Sequence, residues 1–182
     1  INNTVNRQNF TWWSHYGYKN RYFVDLALVE SASNRLAPGT KWNFSPTLSA
    51  AWVLSKENFM EDATWIDFLK LRASAGIINV DNLPGDEVWA YYAQQYATSG
   101  GGYAFDSGWN SEFGRTYLGM MATANPTNEK AYKYNVGVDA KFFGGLDVTL
   151  DLWKEHRTDI WVTSDGKYSA VLGMDTPYEN AG

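Results

Sequence analysis

Runs of strict alternation between apolar and polar residues, long enough to cross a bilayer, constrain this 182-residue chain more than any other feature. Successive side chains of an extended strand point to opposite faces, so alternation at period two marks a strand with two different surroundings. From Arg21 to Glu30, Tyr22, Val24, Leu26 and Leu28 share one face, against Phe23, Asp25, Ala27 and Val29. After Lys41, one face carries Trp42, Phe44, Leu48, Ala50, Trp52 and Leu54, with Pro46 expected to interrupt it, and the other carries Asn43, Ser45, Thr47 and Ser49. Leu69, Leu71, Ala73 and Ala75 alternate with Lys70, Arg72, Ser74 and Gly76. Tyr132, Tyr134, Val136, Val138, Ala140 and Phe142 alternate with Lys133, Asn135, Gly137, Asp139 and Lys141; Leu146, Val148, Leu150 and Leu152 alternate with Asp147, Thr149 and Asp151. A weaker opening strand runs from about Thr4 to Tyr18, which gives about six strands.

A charged face at mid-strand (Asp25, Arg72, Asp139, Lys141, Asp151) fits a watery lumen, and the facing set Tyr22, Val24, Leu26, Leu28, Val136, Val138, Val148, Leu150 and Leu152 fits lipid. The runs also approach the roughly nine to eleven residues a tilted strand needs to cross a membrane. Aromatics make up 16% of the chain and charged residues only 19%, and Tyr18, Tyr22, Trp42, Phe44, Trp52, Tyr132 and Phe142 gather toward strand ends, as an interfacial girdle requires. The expected fold is therefore all-β: an antiparallel transmembrane β-barrel segment, with residues 1–182 forming part of a single barrel domain. The opening Ile1-Asn2-Asn3 points to a fragment of a longer protein, its remaining strands and any plug lying elsewhere.

Connections alternate in length. Lys19-Asn20 and Phe143-Gly144-Gly145 are tight turns, Ser55–Phe68 is expected to hold a short helix with Ser55 as N-cap and Glu57 in its first turn, and Ser33–Thr40 and Ile77–Lys130 are loops. This alternation puts the long loops together on the extracellular side.

Three blocks carry a family likeness. One is Arg21-Tyr22-Phe23-Val24, then Lys41 through Trp52 (Lys-Trp-Asn-Phe-Ser-Pro-Thr-Leu-Ser-Ala-Ala-Trp) and Glu57-Asn58-Phe59-Met60; the second is Leu69 through Gly76 (Leu-Lys-Leu-Arg-Ala-Ser-Ala-Gly). The third is Asn125-Pro126, Tyr134-Asn135-Val136-Gly137-Val138-Asp139, Asp151-Leu152-Trp153-Lys154 and Thr158-Asp159-Ile160. In this order and spacing the chain resembles the C-terminal barrel of SusC/RagA-like TonB-dependent transporters. It departs from their pattern at Glu30 to Leu36, where an Arg-Asp-Gly-Ser-Ser-Arg-Phe-like turn is usual, and at Asn128-Glu129-Lys130-Ala131, where a Trp-Glu pair is usual. The resemblance implies a plugged barrel of about 22 strands in the outer membrane of a Gram-negative bacterium. It further implies a SusD-like surface lipoprotein as lid, a TonB complex engaged through an N-terminal part not seen here, and glycan or peptide cargo.

Within Ile77–Lys130, the residues Trp89, Tyr91, Tyr92, Tyr96, Tyr103, Phe105 and Trp109 are candidates for contact with cargo or a lid, since aromatic faces stack on sugars and anchor interfaces. Packing against neighbouring loops is the competing reading. Asp81, Asp86, Glu87, Asp106 and Glu112 match no calcium-loop spacing and read as solvated charge, and His15 and His156 read as structural, so no metal or cofactor is expected. No catalytic signature is present, and the scattered Lys and Arg form no basic cluster for nucleic acid. A nutrient importer is the leading reading; a soluble β-sandwich glycan-binding module and a barrel recruited into an envelope machine are the alternatives. The sandwich must bury Tyr22, Val24, Leu26, Leu28, Val136 and Val138 against a second sheet.

Overall fold

A computed structural model of the chain describes residues 4–81, 91, 97–104, 112–124 and 126–181, with only the backbone described over 97–104 and 112–115. Six long strands form one antiparallel sheet: β1 (Arg7–Tyr18), β2 (Tyr22–Ser33), β3 (Trp42–Val53), β4 (Ile66–Val80), β7 (Glu129–Phe142) and β8 (Leu146–Thr158), paired in that order. Two hairpins missed in the sequence stand apart from it: β5 (Ala97–Ala104) with β6 (Glu112–Tyr117), and β9 (Ile160–Thr163) with β10 (Tyr178–Ala181). β1 and β8 each pair on one side only among the described residues.

The tight turns have a clear cause. Lys19 and Asn20 take φ of 51° and 52°, and Phe143 and Gly144 take 51° and 69°, so both turns are type I′, whose twist matches the strands they join. The Ser55 expectation is corrected. Two 3₁₀ turns, Leu54–Lys56 and Asn58–Met60, stand in place of one helix; Ser55 lies inside the first and caps nothing, and Glu57 sits between them. The segment is clamped from the β1–β2 turn and from β3 instead: Arg21 Nη1 donates to Glu57 Oε2 at 3.1 Å, and Trp52 Nε1 donates to Glu57 Oε1 at 3.0 Å. Hydrogen bonds from Tyr22 and Trp52, with the Arg21 guanidinium beside them, hold the Glu57 carboxyl below its ordinary value.

Pro46 does not break β3. It lies opposite Leu28 of β2, while pairing with β4 begins only at Thr47–Gly76, so proline's missing N–H costs no ladder bond on that side. Gly76 is required there, because a Cβ would stand 2.5 Å from Thr47 Oγ1. Beyond this point β3 and β4 part, and Asn79 Nδ2 bridges the gap by donating to the Phe44 carbonyl (2.9 Å) and Ser45 Oγ (2.7 Å).

The register sorts the faces as the alternation requires. The row Tyr18, Tyr22, Trp52, Leu71, Val138, Leu150 and the row Tyr16, Val24, Ala50, Ala73, Val136, Leu152 lie on one face. Val136, Leu150 and Leu152 stay 56%, 65% and 78% exposed, so among the described residues no second sheet covers them, which the sandwich alternative requires. Aromatic rings stack along the turn end of this face, Tyr18 on Tyr22 at 6.4 Å and Tyr22 on Trp52 at 6.1 Å, with Trp65 on Phe142 at 5.7 Å; at the loop end Phe10 stacks on Trp42 at 6.1 Å.

The most buried side chains sit largely at the loop end, where Leu36, Ala32, Ala131, Pro126, Thr123 and Asn128 pack together with their loops. The loops interlock: Thr40 Oγ1 donates to the Pro126 carbonyl at 2.8 Å, Thr123 Oγ1 to the Tyr178 carbonyl at 2.6 Å, and Asn180 exchanges hydrogen bonds with the Thr127 backbone at 2.9 and 3.0 Å.

Candidate functional site

The second face of the sheet carries the charges. Asp25, Arg72, Asp139, Lys141 and Asp151, singled out in the sequence, all project from it. Arg72 of β4 is the hub. Its Nε donates to Asp139 Oδ2 at 2.9 Å and its Nη2 to Asp151 Oδ2 at 2.9 Å, the latter across the whole width of β7. This reach needs Gly137, which lies between Arg72 and Asp151 in the register; a Cβ there would stand 2.7 Å from Asp151 Oδ1 and 2.8 Å from Arg72 Cζ. Thr149 donates to Asp139 and Asn135 to Asp151, both at 3.3 Å, so both carboxylates gain further donors. Lys141 faces Asp147 in the register, clear of this cluster. A guanidinium fork matches two carboxylates well, and here it ties three strands.

A second group lies toward β1. His15 Nδ1 is 2.6 Å from Asp25 Oδ1, and Ser49 Oγ donates to Asp25 Oδ2 at 3.3 Å. The imidazole stacks between Trp13 (6.1 Å) and Phe23 (5.9 Å). The sequence reads His15 as structural; its pairing with Asp25 follows from their cross-strand position, visible only once register is known. His156, by contrast, lies on the apolar face beside Tyr132, 6.3 Å between ring centroids.

Of the aromatic loop candidates, Tyr91 donates weakly to the Asn34 carbonyl at 3.5 Å and is half-buried, which ties it to the neighbouring loop. Tyr103 lies on β5 opposite Phe113, described by backbone alone. Trp89, Tyr92, Tyr96, Phe105 and Trp109 lie outside the described residues, as do Asp86, Glu87 and Asp106. Asp81 is not a solvated loop charge but the partner of Arg7, which meets both its oxygens at 2.9 and 2.8 Å.

A strongly two-faced antiparallel sheet of long strands, with tight turns at one end and interlocked loops at the other, is the wall of a transmembrane β-barrel. The comparisons agree. No family model matches the chain. One TonB-dependent receptor of Formosa agariphila is 37% identical over 169 residues, 92% of this chain and 16% of its own length, and another is 27% identical over 167 residues, 91% and 14%. TonB-dependent receptor SusC of Bacteroides thetaiotaomicron is 28% identical over 135 residues, 72% of this chain and 13% of its own. Among solved structures, that of the RagAB peptide transporter matches with TM-score 0.78 at 16% identity, covering 98% of this chain and 18% of that one; the importer in its closed-closed state matches at 0.74 over 96% and 18%. The chain thus spans between 13% and 16% of these relatives' length. Over its own length it is a SusC/RagA-like segment of a TonB-dependent receptor barrel, as its motifs indicated.

Proposed function

We propose that this chain forms part of the barrel wall of a TonB-energised outer-membrane importer of glycan or peptide nutrients, working with a SusD-like lid lipoprotein. The division of the sheet into an exposed apolar face and a face crossed by the Arg72–Asp139–Asp151 network carries the reading. In it, Tyr22, Val24, Leu26, Leu28, Val136, Val138, Val148, Leu150 and Leu152 meet lipid, and Asp25, Arg72, Asp139, Lys141 and Asp151 face the lumen. Ion pairs that cross-link strands on the lumen face suit a wall that must stay rigid while its contents move. The loop end is extracellular, and the aromatic-rich stretch between β4 and β7 meets the lid, the cargo or both. The relatives named as TonB-dependent receptors and the RagAB peptide importers support an import role over a structural one.

The test is to tag the full-length protein at its chromosomal locus and identify what co-purifies from native outer membranes. A surface lipoprotein in near-equal amount is expected. In parallel, the deletion strain and a strain lacking TonB should lose growth on the same members of a panel of glycans and peptides offered as sole carbon source. Unchanged growth across the panel, with no lipoprotein recovered, counts against import.

A further inference from the structure

The outward, apolar face of the sheet is not uniform. Among the described residues of the six long strands, the basic side chains on this face all belong to β7 and β8: Lys154 lies opposite Tyr134, His156 opposite Tyr132, and Lys130 opposite Thr158. Lys130 is already engaged, its Nζ donating to Asp159 Oδ2 at 3.0 Å. Lys154 and His156 are exposed, and among the described residues neither forms an ion pair. Glu30, an acid on the same face, stands on β2, three strand spacings from β7. Their height is that of a membrane boundary. Lys154 is eight residues above Leu146, which pairs with Phe142 among the aromatics of the turn end. At ~3.3 Å per residue and a tilt of roughly 35–45°, this is ~20 Å of depth, against an outward apolar band about 25 Å tall. The flexible stem of a lysine so placed carries its ammonium the remaining distance.

A lone interfacial lysine or tyrosine is an ordinary anchor. Here Lys154, His156, Tyr132, Tyr134 and Thr158 line one open hollow of about 600 Å³. Its polar tips are an ammonium, an imidazole and three hydroxyls, each able to donate a hydrogen bond to an anion. Just below, Val136 lies opposite Leu152, both largely exposed, and a second hollow of about 350 Å³ is lined by Leu26, Leu48, Ala75 and Tyr134. We infer that this patch docks a phosphate-bearing, multiply acylated lipid of the outer leaflet. Lys154 and His156 hold its phosphate, and its chains lie over Leu152, Val136 and the hollow beside Ala75. An ammonium binds phosphate as a point charge without needing a fork, and His156 supplies a ring N–H in either charge state. Tyr132 and Tyr134 suit the boundary between headgroup and chains, each with an apolar ring and a polar tip. A second copy fits worse, since a two-fold contact through the patch would bring like charges together. The inference rests on this face meeting lipid.

The experiment uses the full-length protein with its co-purifying partners, exchanged into detergent and mixed with phosphorylated lipid A, dephosphorylated lipid A or inorganic phosphate. Native mass spectrometry reads the lipid retained. The wild type should retain the phosphorylated lipid in preference to the dephosphorylated one. The double variant Lys154→Gln, His156→Gln should bind it about tenfold more weakly. Lys133→Gln, on the opposite face of β7, should bind as wild type does. Lys154→Gln alone, a change at an exposed position, decides the matter where the double variant fails to assemble, and should still lose binding several-fold. The proposal is overturned if the wild type shows no preference for the phosphorylated lipid, if the Lys154 variants retain it as wild type does, or if Lys133→Gln loses as much. It is also overturned if inorganic phosphate alone displaces the lipid, which would make the patch a plain anion site. Failure of the lipid-face reading looks different: Val138→Arg would then be as stable as wild type, whereas failure of the site alone leaves Val138→Arg destabilised and lipid retention indifferent to Lys154.

Discussion

At Gly137 a single added carbon would press on Asp151 and Arg72 together, because Arg72 crosses β7 through the space a side chain would fill. Gly137→Ala is therefore expected to break the Arg72–Asp151 pair and to cost about 1–3 kcal/mol through overpacking. Reversible unfolding in lipid vesicles measures this, and Gly145→Ala, with nothing within 4 Å of its added carbon, is the control. The two faces make a second expectation. Arg at Leu26 or Val138 should destabilise the barrel by about 2–4 kcal/mol, while Arg at Asp25 or Asp139 should be milder. Equal losses at all four positions would contradict the assignment of faces. The sequence displayed the alternation behind this expectation, but not the Arg72 hub, whose members lie far apart in the chain and meet only through register.

Among elements, the six long strands were legible because each repeats the same two-residue period over many residues. β5 and β9 were not: β5 carries the Gly100-Gly101-Gly102 run, and β9 has only the residues Ile160–Thr163. The turn between β3 and β4 was misread for a related reason, since its order comes from Arg21 of the β1–β2 turn and Trp52 of β3 gripping Glu57 and not from a local cap. That grip has a pH signature. A carboxyl held below its ordinary value of 4.5 stabilises the fold above that pH, and the contribution is lost as pH falls through the depressed value. Glu57→Gln should therefore lower stability at neutral pH and shrink the difference between pH 7 and strongly acidic solution, read by unfolding midpoints at both. For the stretch between β4 and β7, shortening between Val88 and Trp109 should leave barrel assembly intact and weaken lid association or uptake. Normal lid binding and normal uptake in the shortened protein would mean that these aromatics only pack.

For the molecule as a whole, β1 and β8 each leave one edge without a partner among the described residues, and unpaired backbone groups in hydrocarbon cost several kcal/mol each. Residues 1–182 expressed alone should aggregate; a monodisperse, β-rich monomer in plain buffer would count against a membrane wall. Sidedness has its own check, because a Cys placed at Ser99 should react with an impermeant reagent on intact cells.

The register also determines how the wall leans. A line drawn straight across the strands from Tyr18, the last residue of β1, arrives at Leu150, but β8 begins lower, at Leu146. A descent of about four residues at ~3.3 Å each, over five inter-strand steps of ~4.8 Å, is a slope of about 30°, close to the inclination of closed barrels. Equal depth in the membrane is thus found along this diagonal and not along a row of paired residues. The ring-bearing side chains step down in the same sense, as a water boundary crossing the strands obliquely would require: Tyr18, Tyr22 and Trp52 share one row, and Trp65 and Phe142 lie below it. On the same reckoning Leu26 and Val138 lie equally far above that boundary, each four residues from the lower end of its strand, although they stand in different rows of the sheet.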